Sequence, residues 1–180
     1  EDNEFVLYYQ PKVNMRTGRV VGAEALIRWV HPDKGVLPPA VFLPVIENHA
    51  LSAEVGEWVI GKALEQIQAW HESGLDIPVS VNVCPRQLEQ VDFASRLQQI
   101  LALHPAVKPG DLTLEVLETS ALEDLAGVSA VIEECRALGV HVSLDDFGTG
   151  YSSLTYLKRV SVDQLKIDHS FVRDMLDDPD

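Results

Sequence analysis

Glu24, Asn82, Glu115, Asp145 and Lys166 each interrupt a short run of apolar and β-branched residues, in GAEALIRW, IPVSVNV, LTLEVLE, VHVSLDD and VDQLKID. Side chains alternate across a strand, so parity assigns each to a face. Glu24 shares its face with Leu26 and Arg28, Asn82 with Ser80, Asp145 with His141 and Ser143, and Lys166 with Gln164 and Asp168. Val79, Val81, Val83, Leu114, Val116, Val142, Leu144, Leu165 and Ile167 take the other face. An edge strand half open to water accounts for GAEALIRW alone. It does not account for the same pattern in strand after strand.

Glu24, Glu115, Glu118, Asp145 and Asp146, converging with only Arg28 and Lys166 to oppose them, are frustrated, because each unpaired buried carboxylate costs on the order of several kcal/mol. A divalent cation removes that frustration. Carboxylates and the Asn82 carbonyl are hard oxygen ligands, and none of the six histidines forms an HxH or HxxxH pair, which favours Mg²⁺ or Mn²⁺ over Zn²⁺. The adjacent Asp145 and Asp146 suit the bridging of two ions, and two ions about 4 Å apart suit phosphodiester hydrolysis.

The elements that must position these groups alternate along the chain. Strands are expected over 5–13, 19–29, 77–83, 112–118, 140–146 and 162–168. Between most of them lie helical patterns: Ser52 to Ser73 with Ser52 as N-cap and Gly74 as stop, Pro85 to Leu103, and Glu123 to Leu138 ended by Gly139. Strand–helix alternation implies an α/β fold with a largely parallel sheet, as a barrel or an open doubly wound sheet. The GxGxxG turn of the dinucleotide-binding open sheet is missing, and Gly148 with Gly150 makes a weak phosphate cradle. In a β/α barrel the outer face must be apolar and the inner face gathers ligand-binding groups near the C-terminal strand ends, so parity favours the barrel. Trp58 and Trp70 read as core, and His141 as a packed, hydrogen-bonded histidine.

Composition narrows the partners. The 180 residues suffice for one domain or part of one. Fourteen basic against 28 acidic residues, a net charge of −14, disfavour binding to DNA or RNA duplexes or to anionic membranes. Cys84 and Cys135 lie outside any CxxC pattern, so two reduced thiols are expected. No apolar run approaches the roughly 20 residues of a membrane span, and no membrane span or signal peptide is expected within these residues. The expectation is a cytoplasmic module, or the cytoplasmic part of a larger membrane-anchored protein.

These residues resemble the EAL family of cyclic di-GMP phosphodiesterases. The resemblance rests on YQP (9–11), EALIRW (24–29), FLPVIE (42–47), SVNVCPRQL (80–88), LEVLETS (114–120), LDDFGTGYSSL (144–154) and LKID (165–168), in the family's order. It implies a modified TIM barrel in a bacterial signalling protein that hydrolyses cyclic di-GMP to linear pGpG with Mg²⁺ or Mn²⁺, two ions in all. By the resemblance, Glu24, Asn82, Glu115 and Asp145 are ligands of the first ion, and Asp145 and Asp146 serve the second. Lys166 is similar to the lysine that orients the nucleophilic water, Glu118 to a glutamate organising the active-site loop, and Gln10, Leu26 and Arg28 to substrate contacts. The DDFGTGYSSL segment resembles a loop that couples the metal site to homodimer contacts, and family members are often fused to GGDEF, PAS or other sensor domains. Cys84 stands where the motif more often has serine.

The resemblance covers all 180 residues as the first two-thirds to three-quarters of an EAL domain. A closed eight-stranded barrel needs more strands. The family's AEGVE-like motif, with a further metal ligand and the proposed general base, does not occur in the chain. A fragment of a longer phosphodiesterase is expected, with a non-catalytic cyclic di-GMP receptor or an inactive fragment as the alternatives.

Overall fold

The computed structural model describes residues 4–47, 49–148 and 160–174. Strands β1 (Phe5–Val13) and β2 (Val20–His31) form an antiparallel hairpin. Its turn is set by Asn14, whose Oδ1 accepts the amide N–H groups of Arg16 and Thr17, each at 3.0 Å, and by Gly18 at a φ of 68°. A short β3 (Gly35–Leu37) folds back antiparallel on β2, and α1 (Pro39–Ile46) follows with Pro39 in its first turn.

The rest alternates: α2 (Leu51–Glu72), β4 (Val79–Val83), α3 (Pro85–Leu88), α4 (Phe93–Ala102), β5 (Leu112–Leu117), α5 (Glu118–Glu123), α6 (Leu125–Ala137), β6 (His141–Phe147), β7 (Gln164–Ile167) and α7 (His169–Asp174). The strand order is β1-β2-β4-β5-β6-β7, parallel from β2 through β7. This is a TIM-barrel-like α/β arrangement, present as an arc of a barrel.

The arc is tightly curled. Four strand intervals separate β2 from β7, roughly 19 Å in a flat sheet. Yet Lys166 on β7 reaches Glu24 on β2, with Nζ 3.2 Å from Oε2. Lys12 on β1 likewise reaches Glu115 on β5. Only a curled sheet with these side chains on its concave face allows both contacts.

The convex face carries the core, where Val79, Val81, Leu112, Leu114, Val116, Val142 and Leu144 pack beneath Ala63, Leu64 and Ile67 of α2, Phe93 and Leu97 of α4 and Ile132 of α6. Trp58 and Trp70 pack partly buried against this core, as expected. On β7 the convex-face Leu165 and Ile167 are exposed.

Several expectations need correction. Ser52 is not the cap of α2; Ala50 is, and Ser52 lies inside the first turn, with its hydroxyl donating to the His49 carbonyl at 3.0 Å. The helix expected from Pro85 to Leu103 is two helices. Along one continuous helix Leu88 and Phe93 stand about 140° apart, and the break at residues 89–92 lets both enter the core. The expectation of six strands omitted β3 and the α1 that follows it. His141 is half-exposed at the N-terminal end of β6, with Nδ1 3.7 Å from Asp163 Oδ2. The strand end leaves it beyond the cover of the core.

Candidate active site

The concave face gathers its charge where the strands predict it. β2 presents Glu24, β4 Ser80 and Asn82, β5 Glu115, β6 Asp145 and β7 Lys166. Lys166 Nζ sits among three carboxylates, 2.6 Å from Glu115 Oε2, 2.8 Å from Asp145 Oδ2 and 3.2 Å from Glu24 Oε2. Glu24, Glu115 and Asp145 can each turn an oxygen to within 4.8 Å of the others, close enough to share one cation. Asn82 Nδ2 donates to Glu24 Oε1 at 2.9 Å, which leaves the amide oxygen of Asn82 as a further hard donor.

Burial makes these contacts matter. The Glu115 side chain is 0% exposed. Burial works to lower the Lys166 ammonium pKa, but hydrogen bonds to Asp145 and Glu115 and the charges of Glu115 and Glu24 overcome it and hold Lys166 protonated well above the usual lysine range.

One cation of the cluster was not foreseen. Lys12 on β1 donates to Glu115 Oε1 at 2.6 Å and to the Ser80 hydroxyl. Its signal was the same alternation, since Tyr8, Gln10 and Lys12 share one face of β1 against Phe5, Leu7 and Tyr9. Arg28, expected to oppose the carboxylates, instead donates from Nη1 to the Ile27 carbonyl at 2.9 Å and lies 5.5 Å from the centre of the Tyr8 ring.

Gln10 pairs across the hairpin with Glu24, Tyr8 with Leu26 and Val6 with Arg28. Gln10, Leu26 and Arg28 thus form a strip along the concave face that runs from the carboxylates toward the C-terminal end of β2.

Asp146 adopts a φ of 54°, a left-handed conformation uncommon for a side-chain-bearing residue and one that clusters at functional sites. A register shift between Leu144 and Phe147 accompanies it. Asp146 is exposed and outside the group of three carboxylates; desolvation first, then the charges of Asp145 and Asp168, raise its pKa. Glu118 is fully buried at the start of α5 and also outside that group, with Oε2 accepting the Gly148 amide N–H at 3.0 Å. The remainder of the DDFGTGYSSL segment, residues 149–154, lies outside the described residues.

Other features lie elsewhere. His71, Asp76 and Asp111 also bring ligand atoms within 4.8 Å of one another, at the N-terminal ends of β4 and β5, where the Asp76 side chain is 88% exposed. A groove of about 810 Å³ between β1 and α2, walled by Phe5, Leu7, Tyr9, Val55 and Trp58, opens on the convex side. Among the described residues no helix is long and apolar enough to cross a membrane.

Known proteins resemble this chain in sequence and fold. The family model described as the EAL domain matches residues 1–180. The bifunctional diguanylate cyclase/cyclic di-GMP phosphodiesterase MucR of Pseudomonas aeruginosa is 40% identical over 181 residues, covering 100% of this chain and 26% of MucR. The chain thus spans about a quarter of that relative's length. Among solved structures, the MucR phosphodiesterase in complex with c-di-GMP superposes with a TM-score of 0.91 at 40% identity, over 98% of this chain and 71% of that one. The EAL enzyme Bd1971, in its cAMP- and cyclic-di-GMP-bound form, superposes with a TM-score of 0.89 at 34% identity, over 99% of this chain and 49% of that one. Family model, relatives and fold agree, and the chain belongs to the EAL domain family.

Proposed function

We propose that these residues form the substrate and metal face of a phosphodiesterase that opens cyclic di-GMP to linear pGpG. The observation that carries this reading is the convergence of Glu24, Glu115 and Asp145 on one point of the concave face. The donor set fits a hard divalent ion, with Mg²⁺ or Mn²⁺ held by Glu24, Asn82, Glu115 and Asp145, and a second ion by Asp145 and Asp146. When bound, such ions supply an activated water and stabilise charge on the phosphoryl oxygens.

The chain's own residues do the rest. Arg28 presents a planar guanidinium that matches two phosphate oxygens at once, and it stands four residues, two strand repeats, beyond Glu24 on the same face. Leu26 forms an apolar wall between them, and Gln10 offers an amide for the substrate. Lys166, whose ammonium lies among the same carboxylates in the ion-free protein, would orient the attacking water by donating to it. Glu118 fixes the loop after β6 through the Gly148 amide, and so holds the end of the strand that carries Asp145 and Asp146. Fused signalling domains, homodimerisation through the region around the DDFGTGYSSL loop and a cytoplasmic location belong to the same reading.

The test is direct. Full-length protein carrying these residues, incubated with cyclic di-GMP and Mn²⁺, should yield pGpG, and EDTA should abolish the product. No pGpG under any divalent ion, with cyclic di-GMP binding unchanged by EDTA, would replace the enzyme with a metal-free receptor.

A further inference from the structure

We propose that Lys12 is a positioning residue that fixes Glu115 for metal binding and weakens the site's hold on the ion, while Lys166 is the ammonium that gives way to it. The inference rests on the metal-site reading above.

Glu115 is the deepest carboxylate of the cluster and its two oxygens are divided between two lysines. Oε1 meets Lys12 Nζ at 2.6 Å, and Oε2 meets Lys166 Nζ at 2.6 Å. The two contacts are not equivalent. Lys166 Nζ stands between Glu24, Glu115 and Asp145, the place a shared cation must take. Lys12 bonds no carboxylate but Glu115 in these contacts, and its other partner is the neutral Ser80 hydroxyl.

The backbone explains how Lys12 reaches so far. It pairs across the hairpin with Gly22. A Cβ at Gly22 would stand 3.9 Å from Lys12 Cδ, so the lysine stem crosses β2 where that strand carries no side chain. Gly22 precedes Glu24 by two residues, so Lys12 enters from the N-terminal side of the carboxylates, beneath them. An ion arriving from the C-terminal strand ends displaces Lys166 and leaves Lys12 in place.

Two consequences follow. With Oε1 engaged, Glu115 offers the ion Oε2 alone. The fixed ammonium also repels the ion, so three carboxylates face one permanent positive charge after Lys166 has moved. Removing Lys12 should therefore do opposite things to stability and to affinity. The ion-free protein loses a partner of a buried carboxylate and becomes less stable. The divalent ion binds more tightly, by about tenfold or more, since a unit charge within a few ångströms of it has gone.

The experiment compares Lys12→Met, Lys12→Gln and Lys12→Arg by Mn²⁺ titration calorimetry and by thermal unfolding with and without Mn²⁺. Lys12→Gln keeps a donor for Glu115 without the charge, so it covers the case in which Lys12→Met does not fold. The neutral variants should show a lower ion-free Tm, a larger Mn²⁺-induced rise in Tm, and a Kd for Mn²⁺ lowered about tenfold; Lys12→Arg should keep the wild-type Kd. Neutral variants that unfold earlier but bind Mn²⁺ with unchanged or weaker affinity would overturn the proposal and make Lys12 purely structural. If wild type binds no Mn²⁺, or Glu24→Gln binds it as well as wild type does, the metal site itself is refuted.

Discussion

Glu24→Gln separates the metal role of the cluster from its structural role. Glu24 Oε1 accepts from Asn82 Nδ2 at 2.9 Å, and a glutamine oxygen in its place keeps that bond. The glutamine NH₂ then faces Lys166 Nζ where Oε2 now lies at 3.2 Å. Lys166 retains Glu115 and Asp145 at 2.6 and 2.8 Å, so its charge stays matched. A partly exposed ion pair of this kind contributes no more than about 1 kcal/mol, and losing it also relieves repulsion among three carboxylates. Stability of the ion-free protein should therefore change by no more than about 1 kcal/mol. Metal binding should change far more. A unit charge at a ligand distance of roughly 2.1 Å from a divalent ion is worth about 4 kcal/mol even at the dielectric constant of water, more than a hundredfold in Kd. Urea unfolding in EDTA measures the first quantity and Mn²⁺ calorimetry the second. A Kd within about threefold of wild type would refute the ligand role, and a stability loss beyond about 3 kcal/mol would make Glu24 a structural residue instead.

Arg28→Ala should raise the KM for cyclic di-GMP in full-length protein about tenfold or more, the value of a charge-assisted phosphate contact, and leave Mn²⁺ affinity unchanged; an unaltered KM would count against the contact. Asp163 ties β6 to the start of β7, accepting from Val142 N–H at 2.9 Å and from Arg136 Nη2 at 2.9 Å. Burial works to raise its pKa, but these bonds and the Arg136 charge outweigh it and hold it below the ordinary value. Its stabilisation is present above the unfolded-chain pKa of about 3.9 and is lost as pH falls through the lower folded value. Asp163→Asn should therefore cost roughly 1–3 kcal/mol at pH 7, and the gap between variant and wild type in urea unfolding should shrink below about pH 4. A gap independent of pH would show that the carboxylate charge is not what binds the two strands.

The strands were legible because their signal is local. Val79, Val81 and Val83 against Ser80 and Asn82, or Val142 and Leu144 against Ser143 and Asp145, state both the strand and its buried face in a few residues. Gly74 and Gly139, at φ of 78° and 88°, likewise mark the turns that follow α2 and α6. What escaped depends on distant partners. The HPDKGVLPP stretch is rich in turn formers, and Gly35–Leu37 becomes a strand only because β2 extends to His31 and pairs with it. The break between α3 and α4 reflects the demand of the core for both Leu88 and Phe93. The alternation in FVLYYQPKV puts Lys12 on the polar face of β1, but its decisive partner, Glu115, lies 103 residues away, and only the curled sheet brings the two together.

Lys12 changes the charge balance of the cluster. Counted from the sequence, five carboxylates face one arginine and one lysine, an excess of negative charge that a divalent ion relieves. In the fold, Arg28 stands with Tyr8, Asp146 and Glu118 lie outside the group, and three carboxylates face two ammoniums. The ion-free cluster is nearly neutralised, so total charge no longer compels an ion. Geometry carries the case instead. An ion pair built only for stability needs one carboxylate for each lysine, whereas here three strands place oxygens around the single ammonium of Lys166, and a second lysine from beneath engages the far oxygen of the deepest carboxylate. Lys166 fills a position with three ligands, from which a flexible four-carbon stem can withdraw. On the proposed reading, the cluster is charge-paired before an ion arrives and opens to one when it does, which is what an exchangeable metal site requires.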